Sequence, residues 1–436
     1  MKILKFGGTS VGSAERMAAV AKLIHSEEAQ IVVLSAMSGT TNALVEIAAA
    51  LYQQNHAKAV EIINSLESKY KNVIKELYAT EKVIQKASEL LLIHFDFLRS
   101  FTKDLFTVYE ERAVLAEGEL LSTALFQYYL EEKKINSVLL SALNFMRIDE
   151  NEEPDLAYIE KNIKSELAKY PEKKLFITQG YICRNAFGEI DNLKRGGSDY
   201  TASLIGAAVY ADEIQIWTDI DGMHNNDPRI VDKTYPIAEL SFDEAAELAY
   251  FGAKILHPTC VLPAKNRNIP VRLLNTMQPE AKGTLISKKI SGANIKAVAA
   301  KDGITAIKIK SGRMLLAYGF LRTVFEIFER YKTPIDMITT SEVAVSVTID
   351  NTKNLEAIIT ELKQFGSVEV DSNQAIICVV GDFLAEKQGY ALKVMESLKN
   401  ISIRMISYGG SPNNISLLVN ANQKNEALIA LNKGLF

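Results

Sequence analysis

The sequence predicts an α/β protein: a large domain on a mostly parallel sheet with helices on both faces, followed by two small α+β modules. Three observations predict it. Short apolar runs of strand length alternate with helical periodicity as far as Lys288. No glycine lies between Gly39 and Gly118 and no proline precedes Pro154, so that interval reads as long helices set on the sheet domain. Beyond Ala293 one order of strands and helix occurs twice, about 70 residues apart.

In chain order, Ile3 to Phe6 is a strand that runs into Gly7-Gly8-Thr9-Ser10, and Ala14 to Ser26 is a helix with Ser13 as its cap. Ile31 to Ser35 is the second strand. A helical elaboration follows over about residues 43–130. Strands return at Ser137 to Ser141, Leu175 to Thr178, Glu213 to Trp217 and Val271 to Leu274. The Ser/Gly-containing stretch Lys288 to Ala293 marks a boundary, which gives a first domain over 1–290. In the next segment Ile304 to Ile309, Ile335 to Thr339 and Val343 to Ile349 are strands and Phe320 to Tyr331 is a helix. Ala375 to Val380, Gly389 to Lys399, Ile403 to Ile406 and Ile415 to Asn420 repeat that order. Ile335-Asp336-Met337-Ile338 is echoed by Ile403-Arg404-Met405-Ile406. The modules are placed at 300–372 and 373–436, each with the βαββαβ order of a ferredoxin-like unit. Whether the C-terminal segment returns to complete the first of them is left open.

Composition excludes several classes of function. The chain of 436 residues is 48% hydrophobic and 23% charged with a formal net charge of −4, and it has no Lys/Arg-rich block to meet a run of phosphates. Nucleic acid is not an expected partner, and neither is a membrane. The start, MKILKFGGTS, lacks the apolar core of a signal peptide, so the expectation is a cytoplasmic protein. Cys183, Cys260 and Cys378 are widely spaced without metal-ligand patterns and are read as reduced and buried.

Two constellations carry chemistry. In Lys5-Phe6-Gly7-Gly8-Thr9-Ser10-Val11-Gly12 the glycines at a strand end let backbone amides approach phosphate oxygens, the next helix offers its N-terminus, and Lys5 adds a cation. The chain has no Walker motif and none of the protein-kinase signatures. Lys194-Arg195-Gly196-Gly197-Ser198-Asp199-Tyr200-Thr201 stands before a small-residue helix. It offers an arginine fork, two glycines, a hydroxyl and a carboxylate, enough to hold a small anion beside a developing phosphoryl charge. Capping alone explains Ser198 or Asp199, but not the arginine and glycines ahead of them.

With KFGGTSVG, SAMSGTTNAL, GELLST, RGGSDYTA, WTDIDG, DPRIV and FGAKILHP in this order, the chain resembles the aspartokinase family over nearly its whole length. The resemblance implies an amino-acid-kinase-like αβα sandwich followed by paired ACT domains. The reaction it implies is transfer of the ATP γ-phosphate to the β-carboxylate of L-aspartate, with Mg²⁺ carried on the ATP and few or no direct protein ligands for the metal. No dehydrogenase segment follows Phe436, so the resemblance is to monofunctional members. It further implies that Lys5 contacts the transferred phosphate and that Asp199 is the catalytic aspartate, in an organising role. Gly7, Gly8, Thr218, Asp219, His224, Asp227, Arg229 and Lys254 then serve the nucleotide. Thr41, Glu119, Tyr181, Arg195, Gly196, Gly197 and Ser198 hold aspartate, Arg195 its α-carboxylate and Glu119 its ammonium. The first module looks like that of lysine-sensitive members, which implies an L-lysine site at Met314, Ala317, Gly319, Phe320, Leu321, Asp336, Thr340, Ser341 and Glu342, with Asp336 taking the ε-ammonium. Three features depart from the family pattern: His224 for a tyrosine, Lys194 for a glycine, and Asp191-Asn192 in a stretch that is Thr-rich elsewhere. Paired small α+β modules with β-rich edges suggest at least a homodimer. Two other readings stay open: a kinase for glutamate or acetylglutamate, and a non-catalytic protein that senses amino acids.

Overall fold

The structure is a computed structural model that describes residues 1–24, 27–103, 105–193, 196–252, 257–288, 295–311, 319–382 and 388–436. The chain folds as two compact units. The first comprises Met1–Met223 and Leu256–Lys289, the second His224–Ile255 and Ile290–Phe436. Packing thus places residues 224–255, which the sequence reading puts in the first domain, with the second unit.

In the first unit the chain runs β1 (Lys2–Phe6), α1 (Ala14–Leu23), β2 (Gln30–Leu34), α2 (Thr40–Tyr52), α3 (His56–Leu77), α4 (Glu81–Ser100), α5 (Val108–Glu132) and β3 (Ser137–Leu140). It continues through α6 (Leu156–Ala168), β4 (Leu175–Gln179), a hairpin of β5 (Ile182–Arg184) and β6 (Ile190–Asn192), α7 (Gly197–Val209) and β7 (Glu213–Thr218). β8 (Glu239–Ser241) and α8 (Phe242–Tyr250) belong to the second unit. α9 (Pro258–Arg267), β9 (Val271–Asn275) and β10 (Thr284–Ser287) return to the first.

The strands β3-β4-β2-β1-β7-β9 lie side by side and parallel, with β10 antiparallel on β9. β2 is buried at every residue, as a strand covered on both faces must be. The chain leaves β1 to one side for β2 and to the other for β7, so the carboxyl end of β1 is the topological switch point, where open α/β sheets bind ligands. The expected cap of α1 is present: Ser13 Oγ accepts from the Arg16 amide at 3.3 Å. The glycine-free interval is helical, and the apolar faces of α2 to α5 form one core around Tyr70, Phe95 and Phe126. The hairpin β5–β6 and the strands β8 and β10 have no counterpart in the sequence reading, being only three or four residues long.

The second unit continues with β11 (Ile295–Lys310), α10 (Phe320–Arg330), β12 (Ile338–Thr340), β13 (Ala344–Ile349), α11 (Leu355–Leu362) and β14 (Ser367–Gly381). The last elements are α12 (Tyr390–Ser397), β15 (Ile403–Tyr408), β16 (Asn414–Asn420) and α13 (Lys424–Leu435). The sheet order β12-β13-β11-β14-β16-β15 is antiparallel throughout. It serves two separate cores. Ile307 and Ile309 of β11 join Val324, Phe328, Val345, Ile358 and Leu362 in one. Val298 of β11 joins Ile377, Val394, Leu417, Leu428 and Leu431 in the other. The exchange that the sequence left open therefore runs the other way. The C-terminal helix stays with the second module, and residues at the start of β11, ahead of the first module, complete that module's sheet.

Candidate active site

Four loops meet at the carboxyl edge of the parallel sheet. The loop after β1 lies against the loop after β2: the Ser38 amide donates to the Gly8 carbonyl at 3.1 Å and the Ser35 amide to the Phe6 carbonyl at 3.2 Å. Gly8 is required by this approach, since a Cβ there would stand 2.8 Å from the Ala36 carbonyl oxygen. Lys5, one residue before the end of β1, reaches Asp199 on the first turn of α7, with Nζ 2.6 Å from Oδ1 and the two side chains 12% and 16% exposed. Beside this pair Gly7 donates its amide to Trp217 of β7 at 3.3 Å.

α5 delivers Glu119. Gly118 allows the approach, because a Cβ there would lie 2.7 Å from Ala36 Cβ. Glu119 Oε1 accepts from the Ala36 amide at 3.1 Å, while Oε2 is buried without a protein partner. Desolvation pushes the Glu119 carboxyl up to about 8, against the lowering effect of the Ala36 amide and of Lys5. After β4, Tyr181 adopts a left-handed φ of 65° and its amide donates to Thr201 Oγ1 at 2.9 Å. Ser198 Oγ accepts from Ser35 Oγ at 2.9 Å. Gly8, Thr41, Glu119, Tyr181, Gly197 and Ser198 border one cavity of about 420 Å³. A buried carboxylate with a vacant oxygen, next to a Lys–Asp pair and glycine-lined loops, can take an ammonium and an anion together.

Of the predicted site residues, the structure brings Lys5, Gly7, Gly8, Thr41, Glu119, Tyr181, Gly197, Ser198 and Asp199 to this edge. Gly196 caps α7 with a φ of 73°, and a Cβ on it would collide with Cys260 Sγ. Thr218 and Asp219 follow β7, with Thr218 Oγ1 donating to Asp219 at 3.1 Å. Arg195, Lys254, Met314 and Ala317, and the departure Lys194, lie outside the described residues. Sequence reasoning assigned no role to Ser35, whose motif was in view, nor to Gly180, where a Cβ would strike Ser198. Asp191, read as a departure, is buried and pairs with Arg112 of α5 at 2.5 Å, tying the β5–β6 hairpin to that helix.

In the second unit His224 bonds Thr234 at 2.9 Å, and Asp227 accepts from Arg229 through its backbone amide, Nε and Nη2 at 2.7–2.9 Å. This fork holds the Asp227 carboxyl below the usual range. Asn226 anchors the same loop to α13 by donating to the Leu428 carbonyl at 3.0 Å. At the expected control site, Gly319 caps α10 with a φ of 90° and Phe320 is buried, while Leu321 is exposed. Thr340 ends β12, and the Ser341–Glu342 turn is closed by the Ser341 amide on Ala344. Asp336, the residue expected to take the ε-ammonium, is engaged within the chain. Its buried Oδ1 accepts from Lys301 Nζ at 2.7 Å and from the Tyr250 hydroxyl at 2.8 Å, and Oδ2 has no partner. Lys301 also lies 2.9 Å from Asp350. Although desolvation works against it, the two carboxylates hold the Lys301 ammonium above its ordinary pKa.

The parallel sheet with glycine loops at its switch point defines a small-molecule kinase of the amino acid kinase class, and the model of the amino acid kinase family matches residues 1–275. An ACT domain model matches residues 377–435. The lysine-sensitive aspartokinase 3 of Escherichia coli is 33% identical over all of this chain and 99% of its own length. The chloroplastic aspartokinase 1 of Arabidopsis thaliana is 34% identical over all of this chain and 80% of its own. The structure of E. coli aspartokinase III with aspartate and ADP superimposes with a TM-score of 0.87 at 32% identity, covering both chains completely; that with lysine and aspartate gives 0.81. The chain belongs to the aspartokinases, kinases that phosphorylate the side-chain carboxyl of aspartate. Among the described residues no helix is long and apolar enough to cross a membrane.

Proposed function

We propose that this chain is a cytoplasmic, lysine-controlled aspartate kinase whose cavity at the carboxyl edge of β1 holds L-aspartate, with MgATP as co-substrate. The observation that supports this most directly is a cavity lined by Gly8, Glu119 and Ser198 at the same sheet edge as the Lys5–Asp199 pair. The β-carboxylate of aspartate has a pKa of about 4, so it is ionised at neutral pH and needs no general base. One of its oxygens attacks the γ-phosphorus as the bond to the β–γ bridging oxygen breaks and ADP leaves. Lys5, held in direction by Asp199, offsets the charge on the transferring phosphoryl group, and the amides of Gly7 and Gly8 add donors. Glu119 receives the substrate ammonium on its vacant Oε2, Arg195 the α-carboxylate, and Thr41, Tyr181, Gly196, Gly197 and Ser198 shape the rest. Thr218, Asp219, His224, Asp227, Arg229 and Lys254 serve the nucleotide.

The catalytic domain is assigned to 1–290 and the ACT modules to 300–372 and 373–436, with β11 shared between them. L-lysine is assigned to the first module, around Gly319, Phe320, Leu321, Thr340, Ser341 and Glu342 with Met314 and Ala317. There its ε-ammonium competes with Lys301 for Asp336. The chain acts as at least a homodimer. ADP release measured with aspartate, glutamate, acetylglutamate and no acceptor tests the substrate. Turnover with glutamate equal to that with aspartate would reject it.

A further inference from the structure

The helical elaboration touches the cavity through α3. Lys69 Nζ donates to the carbonyl of Ser38 and stands over Gly39, where a Cβ would lie 3.6 Å from it. On the next residue, the buried Tyr70 hydroxyl bonds Thr40 Oγ1 at 3.1 Å. Two consecutive side chains of α3 thus hold residues 38–40, and Ser38, Gly39 and Thr41 border the cavity. The electrostatics of Lys69 differ from those of Lys5. Lys5 meets a carboxylate, whereas the polar contact of Lys69 among the described residues is a neutral carbonyl. Desolvation lowers the Lys69 pKa with no carboxylate opposing it. A half-buried ammonium with a carbonyl on one side and a side-chain-free glycine beneath it is suited to a carboxylate arriving from the cavity.

We propose that Lys69 is a specificity-determining residue that shares the non-reacting α-carboxylate of the acidic acceptor with Arg195, pairing with it from the cavity rim. The proposal rests on the reading of this cavity as the acceptor site. It gives the helical elaboration a part in substrate choice, since α3 lies outside every motif noted in the sequence. Holding Ser38 requires only a hydrogen-bond donor, whereas attracting a carboxylate requires charge, and substitutions separate the two.

Lys69→Met, Lys69→Gln and Lys69→Arg are compared with the parent for aspartate KM, ATP KM, kcat and thermal midpoint, with Glu119→Gln as control. Met and Gln should each raise aspartate KM about tenfold, the lower range for a hydrogen bond to a charged group. ATP KM and the thermal midpoint should stay put, and Arg should remain within about threefold of the parent. Parent-like KM in Lys69→Gln would show that Lys69 only holds the loop and would overturn the proposal. So would a rise confined to ATP KM. If Glu119→Gln shifts aspartate KM and the Lys69 variants do not, the proposal fails alone; if none of them shifts it, the cavity assignment fails as well.

Discussion

Glu119 makes the capture of aspartate depend on pH in a calculable way. Its carboxyl is buried, with Oε1 on the Ala36 amide, and is pushed up to about 8 by desolvation, so the resting enzyme near neutrality holds it mostly protonated. An ammonium on Oε2 requires the ionised form, and one pH unit below the pKa about a tenth of the molecules carry it. The raised pKa favours the folded state with Glu119 neutral, a contribution fully present below the ordinary carboxylate range and lost as pH rises through about 8. Aspartate binding changes in the opposite direction and strengthens as pH rises toward 8. kcat/KM for aspartate should therefore climb about tenfold per unit from pH 6 to 7 and flatten near 8. Glu119→Gln should lower the plateau by about 2–5 kcal/mol, the cost of losing one partner of a buried charge pair, and abolish the slope. Initial rates of ADP release at subsaturating aspartate and saturating MgATP give the profile. A flat profile between pH 6 and 8, or an unchanged slope in Glu119→Gln, would refute the reasoning.

Lys5→Ala should keep its fold, checked by circular dichroism, and lose about 2.7–4 kcal/mol of transition-state stabilisation, read as a fall in kcat of roughly two to three orders of magnitude. Gly8→Ala places a Cβ 2.8 Å from the Ala36 carbonyl, so the two loops must separate; kcat should fall about tenfold or more, and a parent-like value would remove the need for glycine there. Lys301→Met leaves the buried Asp336 carboxylate without its ammonium. The thermal midpoint should fall by the equivalent of about 3–5 kcal/mol, less the share that Tyr250 retains, and millimolar L-lysine should restore part of the loss; no restoration would reject Asp336 as its partner. Asp336→Ala should relieve inhibition by L-lysine, measured as the concentration that halves turnover.

The legible parts of the molecule were those whose physics is local. Glycine pairs at strand ends announced loops that bring backbone to a ligand, and alternation of strands with helices announced the parallel sheet. Lys5 and Asp199 were each found through their own motif, but their ion pair joins residues far apart in the chain and no periodicity encodes it. Lys69 was illegible for the same reason. On a long amphipathic helix a lysine is ordinarily a solvated residue, and only the path of the Ser38 carbonyl makes it otherwise. The engagement of Asp336 by Lys301 and Tyr250 is not legible in its own motif, because both partners come to it from distant segments. The full length of β11 was hidden by Lys301-Asp302-Gly303, which reads as a turn. In the structure that stretch is a register irregularity within one strand, with Gly303 at a φ of 75°.

That continuity has a consequence for how the chain can be cut. Lys301 of β11 lies opposite Ile376 of β14 as antiparallel neighbours, so everything from 302 to 375 is an insertion at the tip of a hairpin. Joining Lys301 to Ile376 through a tight turn would keep the second module's two helices and, apart from Ala375 and the end of the β14–β16 ladder, its core and sheet. A truncation that begins at residue 373 takes Val298 and its strand out of the second module and leaves bare the β14 edge that carries Ile377. The first module can be excised as a cassette, whereas the second cannot be expressed as a contiguous tail.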